Sequence, residues 1–174
     1  KAVYSFMAMM EQIHAKSYSH IFTTLLPSSE TNYLLDTWVI EEPHLKYKSD
    51  KIVENYHKLW GKEASIYDQY IARVSSVFLE TFLFYSGFYY PLYLAGQGKM
   101  TTSGEIIRKI LLDESIHGVF TGLDAQSLRN ELSESEKQKA DQEMYKLLNE
   151  LYDGGQRTNE CSNGTKFEQT NQLL

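Results

Sequence analysis

Two short stretches hold residue types that bind metal ions: Glu11-Gln12-Ile13-His14 and Glu114-Ser115-Ile116-His117. In an α-helix, Glu and His three residues apart share one face. With Glu11 as origin and about 100° per residue, His14 falls at about −60° and Tyr18 at about −20°. Met7, Tyr4, Phe22 and Ile21 occupy the same sector, so the carboxylate and the imidazole lie within an apolar stripe. Gln12, Lys16, Ser19 and His20 fall on the other side. The second pair repeats this arrangement, with Ile107, Ile110 and Leu111 around Glu114 and His117. A lone carboxylate, Glu80, sits in the most apolar part of the chain, with Ser76, Leu83, Phe84 and Gly87 about it.

Buried unpaired carboxylates are costly, and several of them repel one another. A divalent cation removes both problems, because carboxylates and imidazoles bind it and its charge offsets theirs. Two helices that each bring Glu-x-x-His, with further Glu from other helices, form the dimetal site of ferritin-like bundles. The motif alone is weak here: of the five His, four follow a Glu by three residues (His14, His44, His57 and His117). Glu41 and His44 flank Pro43, which rules out a helix interior. Glu54 lies about 160° from the face formed by Ile52, Val53, Tyr56, Leu59 and Trp60, so Glu54 and His57 read as solvated.

These ligands need helices, and the pattern supplies them with almost no strand alternation. A first helix is expected over residues 2–24, broken at Pro27-Ser28-Ser29. A shorter one follows over 30–40, ending before Pro43. The next runs over 44–61 and stops near Gly61. Residues 64–90 read as a long buried helix that Pro91 bends or ends. Residues 95–105 read as a turn-rich loop, with Thr102 and Glu105 as a capping box for a helix over about 103–126. Ser133 and Glu136 form a second box. The helix after it places Ala140, Met144, Leu147, Leu148 and Leu151 on one stripe, and Asp153-Gly154-Gly155 closes it. The polar remainder reads as a loosely docked tail.

The chain has 174 residues, enough for one domain, and a net charge of −6 that argues against a broad nucleic-acid footprint. Residues 77–96 have the length of a membrane span and a single charge, Glu80, that a span could tolerate, but Ser86, Gly87, the tyrosines and Pro91 favour a core helix over a membrane one. A single cysteine, Cys161, excludes an internal disulfide framework and fits a reducing, cytoplasmic setting. The first residue is Lys, and the N-terminus runs straight into helical pattern without a signal peptide. The expectation is an internal piece of a longer protein, or a processed chain.

The runs EQIHAKSYSHIF, SVFLETFLFYSGFYYPLY and RKILLDESIHGVF together resemble the class Ib ribonucleotide reductase small subunit, the radical-generating beta chain. The resemblance covers about residues 1–152, with 153–174 as a polar tail outside it. It implies an all-α, ferritin-like bundle with a dinuclear iron or manganese centre. It implies Glu11 and His14 as ligands of a first metal, and Glu80, Glu114 and His117 as ligands of a second, with Glu11 and Glu114 placed to bridge. Tyr18 matches the radical tyrosine, and Asp113 an acid on the radical-transfer path.

The implied partners are a second copy in a homodimer, the large catalytic subunit and a flavodoxin-like activator. The implied reaction is deoxyribonucleotide synthesis. The alternatives are a related dimetal oxidase and an inactive metal-binding remnant. The family's first-site Asp, and a Trp on the transfer path, belong to a helix upstream of residue 1. The segment after Tyr152 matches neither the next helix nor the flexible tail of the family. With five of six ligands, the second site is expected to hold metal better than the first. Such donors do not choose iron from manganese.

Overall fold

Short connections and long amphipathic stripes lead to antiparallel helices. A computed structural model of the chain describes residues 1–60 and 63–162, with side chains described through residue 153. Helix α1 spans Ala2–Leu25 and ends where Leu26 turns extended ahead of Pro27. Helix α2 (Ser28–Asn32) runs through a π-helical turn (Tyr33–Trp38) into the short α3 (Val39–Glu41). Helix α4 (Pro43–His57) starts on Pro43, whose missing N–H costs nothing at a first helical position. It stops earlier than the spacing suggests, and Gly61 lies outside the described residues.

Helix α5 (Ile66–Val77) is capped by Ser65, whose side chain accepts from the Asp68 N–H. It continues through a π-helical turn (Phe78–Leu83) into α6 (Phe84–Gly96), so 66–96 form one rod. Pro91 neither ends nor breaks it. The lost hydrogen bond and ring clash cost about 3 kcal/mol, which packing along the next helix offsets. The rod is also less buried than its composition suggests: Phe88 is the buried residue of α6, while Tyr85, Tyr89 and Tyr93 face outward. Among the described residues no helix is long and apolar enough to cross a membrane.

Gly98 (φ 76°) and Met100 (φ 51°) reverse the chain in a tight turn. Helix α7 then spans Thr101–Glu131, so the expected loop is shorter and the helix longer. No side chain caps α7. Glu105 pairs with Arg108 instead of closing a box with Thr102. The second expected box is present: the Ser133 N–H donates to Glu136 at 2.9 Å, and the Glu136 N–H to Ser133 Oγ at 3.4 Å. It opens α8 (Glu134–Ser162), which runs through Asp153-Gly154-Gly155 rather than ending there. From residue 163 onward, the reading of a loose tail falls outside the described residues.

Helix α7 lies along the whole rod and α1 packs on α7; α4 and α8 pack against each other and α5. One core cluster joins Tyr70, Ile71 and Val74 of α5 to Ala125, Leu132 and Ala140. A second joins Ile52 to Leu147 and Leu151, as the α8 stripe requires. On α4 the expected buried face is only partly right: Val53 (40% exposed) and Trp60 (74% exposed) face water. Asn55 is buried instead, because its amide donates to the buried Ser75 hydroxyl at 2.8 Å.

Gly118 lets α7 close on the rod beside Glu80. A Cβ there would stand 2.5 Å from Thr81 Cγ2. Gly118→Ala is therefore expected to destabilise the chain by about 1–3 kcal/mol in urea unfolding. Thr81→Ser, which removes that methyl, should restore most of the loss. Additive losses in the double variant would contradict this contact.

Candidate metal centre

Glu11 and His14 come from α1, Glu80 from the π-helical turn, and Glu114 and His117 from α7. Their side chains converge. Glu11, Glu80, Glu114 and His117 each present one donor atom, all within 4.8 Å of one another. Glu114 is the hub. Its Oε1 lies 2.9 Å from His14 Nδ1, and its Oε2 lies 3.1 Å from His117 Nδ1. His117 Nδ1 is also 2.8 Å from Glu11 Oε1, while His14 Nδ1 is 3.5 Å from Glu11 Oε2. His14, Glu80, Glu114 and His117 are buried, whereas the Glu11 side chain is 40% exposed.

The pattern of unmet hydrogen bonds decides what this cluster suits. Glu11 Oε1, His14 Nδ1 and Glu80 Oε2 are buried and make no well-aligned hydrogen bond, although Glu11 Oε1 lies 2.8 Å from His117 Nδ1 and His14 Nδ1 lies 2.9 Å from Glu114 Oε1. Such atoms are rare and call for an explanation. His14 Nε2 lies 3.1 Å from Asp113 Oδ2, which selects the tautomer that donates to Asp113 and leaves the Nδ1 lone pair aimed at the carboxylates. Opposite ligands of a cation with bonds of about 2.1 Å stand about 4.2 Å apart. The cluster, whose donor atoms lie within 4.8 Å of one another, reaches that span with a contraction of at most about 0.6 Å. The donor set of carboxylates and imidazoles fits a hard or borderline divalent ion.

Without a cation, protons take over. Burial, then the hydrogen bond and charge of Glu80, then the charges of Glu11 and Asp113, push Glu114 up to about 9. Burial likewise raises Glu80. A carboxyl raised in the folded state stabilises the fold below its unfolded value of about 4.3, and that contribution is lost as pH rises through the folded value. In urea unfolding, the stability of the metal-free chain is therefore expected to fall between about pH 5 and pH 9. Saturating metal should flatten the dependence. A metal-free stability that rises across this window would refute the shared-proton state.

Tyr18 packs on the cluster of Phe88, Ile107 and Ile110 together with Phe84. Of the walls suggested by helix phase (Met7, Phe22, Leu83 and Phe84), Phe84 belongs to that cluster, whereas Leu83 packs with Ile52 and Leu147. Tyr18 has no side-chain hydrogen bond among the described residues. Burial, then the charges of Glu114, Glu11 and Glu80, hold its phenol in the protonated form. Glu54 and His57 are exposed, as their phase requires.

Two features of the site lie beyond the Glu-x-x-His pattern. The π-helical turn that carries Glu80 has no marker in residue type. Tyr4 and Asp124, by contrast, share helix faces with Glu11 and His117 at seven-residue spacing, a signal that the sequence does contain.

The chain matches the family model for the ribonucleotide reductase small chain over residues 1–171. It is 50% identical over 155 residues to the ribonucleoside-diphosphate reductase subunit beta of Bacillus subtilis, covering 88% of this chain and 46% of that one. The corresponding subunit of Bacillus phage SPbeta is 47% identical over 154 residues, with the same coverage of 88% and 46%. The crystal structure of Streptococcus sanguinis dimanganese(II)-NrdF superposes with a TM-score of 0.80 at 41% identity, covering 92% of this chain and 53% of that one. The all-α bundle with its inward carboxylates and imidazoles thus belongs to the ribonucleotide reductase small-chain family. The chain spans less than half the length of the Bacillus relatives it matches.

Proposed function

We propose that this chain is the metal- and tyrosine-bearing part of a ribonucleoside-diphosphate reductase beta subunit, which generates a tyrosyl radical for deoxyribonucleotide synthesis. The observation that carries this reading is the convergence of Glu11, Glu80, Glu114 and His117 within 4.8 Å, with buried ligand atoms left without a well-aligned hydrogen bond. Glu11 and His14 would hold one ion of a dinuclear iron or manganese centre, Glu80 and His117 the other, and Glu114 would span both. Once bound and raised in oxidation state by an external oxidant, the ions would supply the oxidising equivalent for a nearby phenol.

The chain's own residues do the rest. Glu114 and Glu80 give up the proton they otherwise retain. Asp113 accepts from His14 Nε2 and holds the ring with Nδ1 toward the carboxylates. Phe84, Phe88, Ile107 and Ile110 form the apolar cluster on which the half-buried Tyr18 packs, and the less water reaches the ring, the longer an oxidised phenol lives. Asp113, 31% exposed, stands between the buried imidazole and the surface, where a transfer path to the large subunit would begin. A homodimer, the large subunit and a flavodoxin-like activator are the partners this reading implies. The solved relative names manganese, and the donors here accept iron as well.

Loading with Fe(II) or Mn(II), followed by oxidant, tests the proposal. A tyrosyl signal in electron paramagnetic resonance supports it. Metal bound with no organic radical under either loading would overturn the radical-generating role.

A further inference from the structure

Helix α1 carries two of the proposed ligands yet is poorly anchored by apolar burial. His14 is its one buried residue. Val3, Phe6, Met9 and Ile13 are each 46% or more exposed. Its N-terminal half docks through a polar cluster instead. The Tyr4 hydroxyl donates to Asp124 Oδ2 at 2.6 Å, and Arg73 Nε donates to the same oxygen at 3.0 Å. The Arg73 guanidinium lies 5.6 Å from the Tyr4 ring centroid, and Phe120 meets that ring edge-on at 5.4 Å. One carboxylate oxygen of α7 thus gathers a donor from α1 and a donor from α5.

The spacing links this cluster to the metal centre. Tyr4 pairs with Asp124, and Glu11 pairs with His117 at 2.8 Å. Tyr18 packs on the cluster that contains Ile110. Each step is seven residues forward on α1 and seven backward on α7, the repeat that keeps one seam facing its partner in paired helices. The two ends of the seam are Tyr4–Asp124 and the apolar contact of Tyr18; the ligand turn is held between them. A slip of α1 by one turn would move its side chains by about 5.4 Å. Functional donors must be held to about 0.5 Å.

We propose that Tyr4, Asp124 and Arg73 are positioning residues: a register clamp that fixes α1 along α7 and so sets Glu11 opposite His117. This rests on the metal-binding reading given above. Charge-assisted bonds suit the task, because they are directional where apolar contact is not.

Tyr4→Phe removes only the hydroxyl and keeps the ring between Arg73 and Phe120. Asp124→Asn keeps the shape and removes the charge. The probe is Mn(II), titrated with free ion counted by electron paramagnetic resonance. Amide hydrogen exchange of residues 2–10 in the metal-free chain is measured alongside. Both variants are expected to bind Mn(II) about tenfold more weakly, to exchange faster over residues 2–10, and to melt close to the parent chain. Arg73→Lys, which keeps a cationic donor, should stay near parent affinity. Parent-like affinity and exchange in Tyr4→Phe and Asp124→Asn would overturn the clamp. Should the parent chain bind no Mn(II), the metal reading fails, and exchange alone decides the clamp: faster in the variants supports it, unchanged refutes it.

Discussion

Glu114→Ala is expected to lower Mn(II) affinity by at least about a hundredfold. Both oxygens of Glu114 face imidazole nitrogens, at 2.9 Å from His14 and 3.1 Å from His117, and its side chain is 1% exposed. Glu11 also reaches a His of each pair, but at 2.8 and 3.5 Å and from a side chain that is 40% exposed, so Glu114 is the tighter and more buried of the two. The effect on the metal-free fold should have the opposite sign. Glu114 is a buried carboxyl that burial and its neighbours keep protonated up to about 9. At pH 8 that retained proton costs the folded state free energy relative to an ionised, unfolded carboxylate, and the variant removes this cost, so metal-free stability near pH 8 should hold or rise despite the small cavity and the hydrogen bond lost at Glu80. Metal at a hundredfold excess over its dissociation constant stabilises a folded chain by about 2.7 kcal/mol. That increment should be present in the parent and missing in the variant. Equal stabilisation of both by Mn(II) would show that the ion binds elsewhere.

Tyr18→Phe is expected to abolish the tyrosyl signal while leaving metal content and melting temperature close to the parent. The two rings have nearly the same volume, and the Tyr18 hydroxyl has no hydrogen-bond partner among the described residues, so packing on Phe88, Ile107 and Ile110 is kept. The O–H bond alone is lost. Burial and the charges of Glu114, Glu11 and Glu80 keep the phenol protonated. Its oxidation therefore has to release a proton with the electron, which phenylalanine cannot do. A surviving tyrosyl signal in the variant would move the radical to another of the thirteen tyrosines. Loss of metal together with the signal would make Tyr18 a structural support of the site.

Much of this site is legible in residue spacing, and the reason is geometric. Glu-x-x-His on an apolar stripe has one sensible orientation, so residue spacing alone phases α1 and α7. The α8 stripe of Ala140, Leu147 and Leu151 is readable for the same reason. Helix ends are harder. Asp153-Gly154-Gly155 looks like a stop but lies inside α8, and Pro91 lies inside α6. In both places tertiary packing or continuing helix outweighs local preference. The wall of Tyr18 is only partly as helix phase suggests, because the π-helical turn at Phe78–Leu83 shifts the phase of the rod and places Leu83 in a different cluster from Phe84. No residue type announces such a turn. Exposure of Tyr85, Tyr89 and Tyr93 is equally hidden, since an apolar run does not show which flank lacks a neighbour.

The proposed metal centre requires that inward carboxylates and imidazoles from three helical segments hold a cation rather than one another. Metal content after loading with Mn(II) or Fe(II) and gel filtration tests it most directly. About one ion is expected to remain on each parent chain, because the second site (Glu80, Glu114 and His117) should hold metal better than the first, and none on Glu114→Ala. A folded parent chain that emerges with no metal would contradict it.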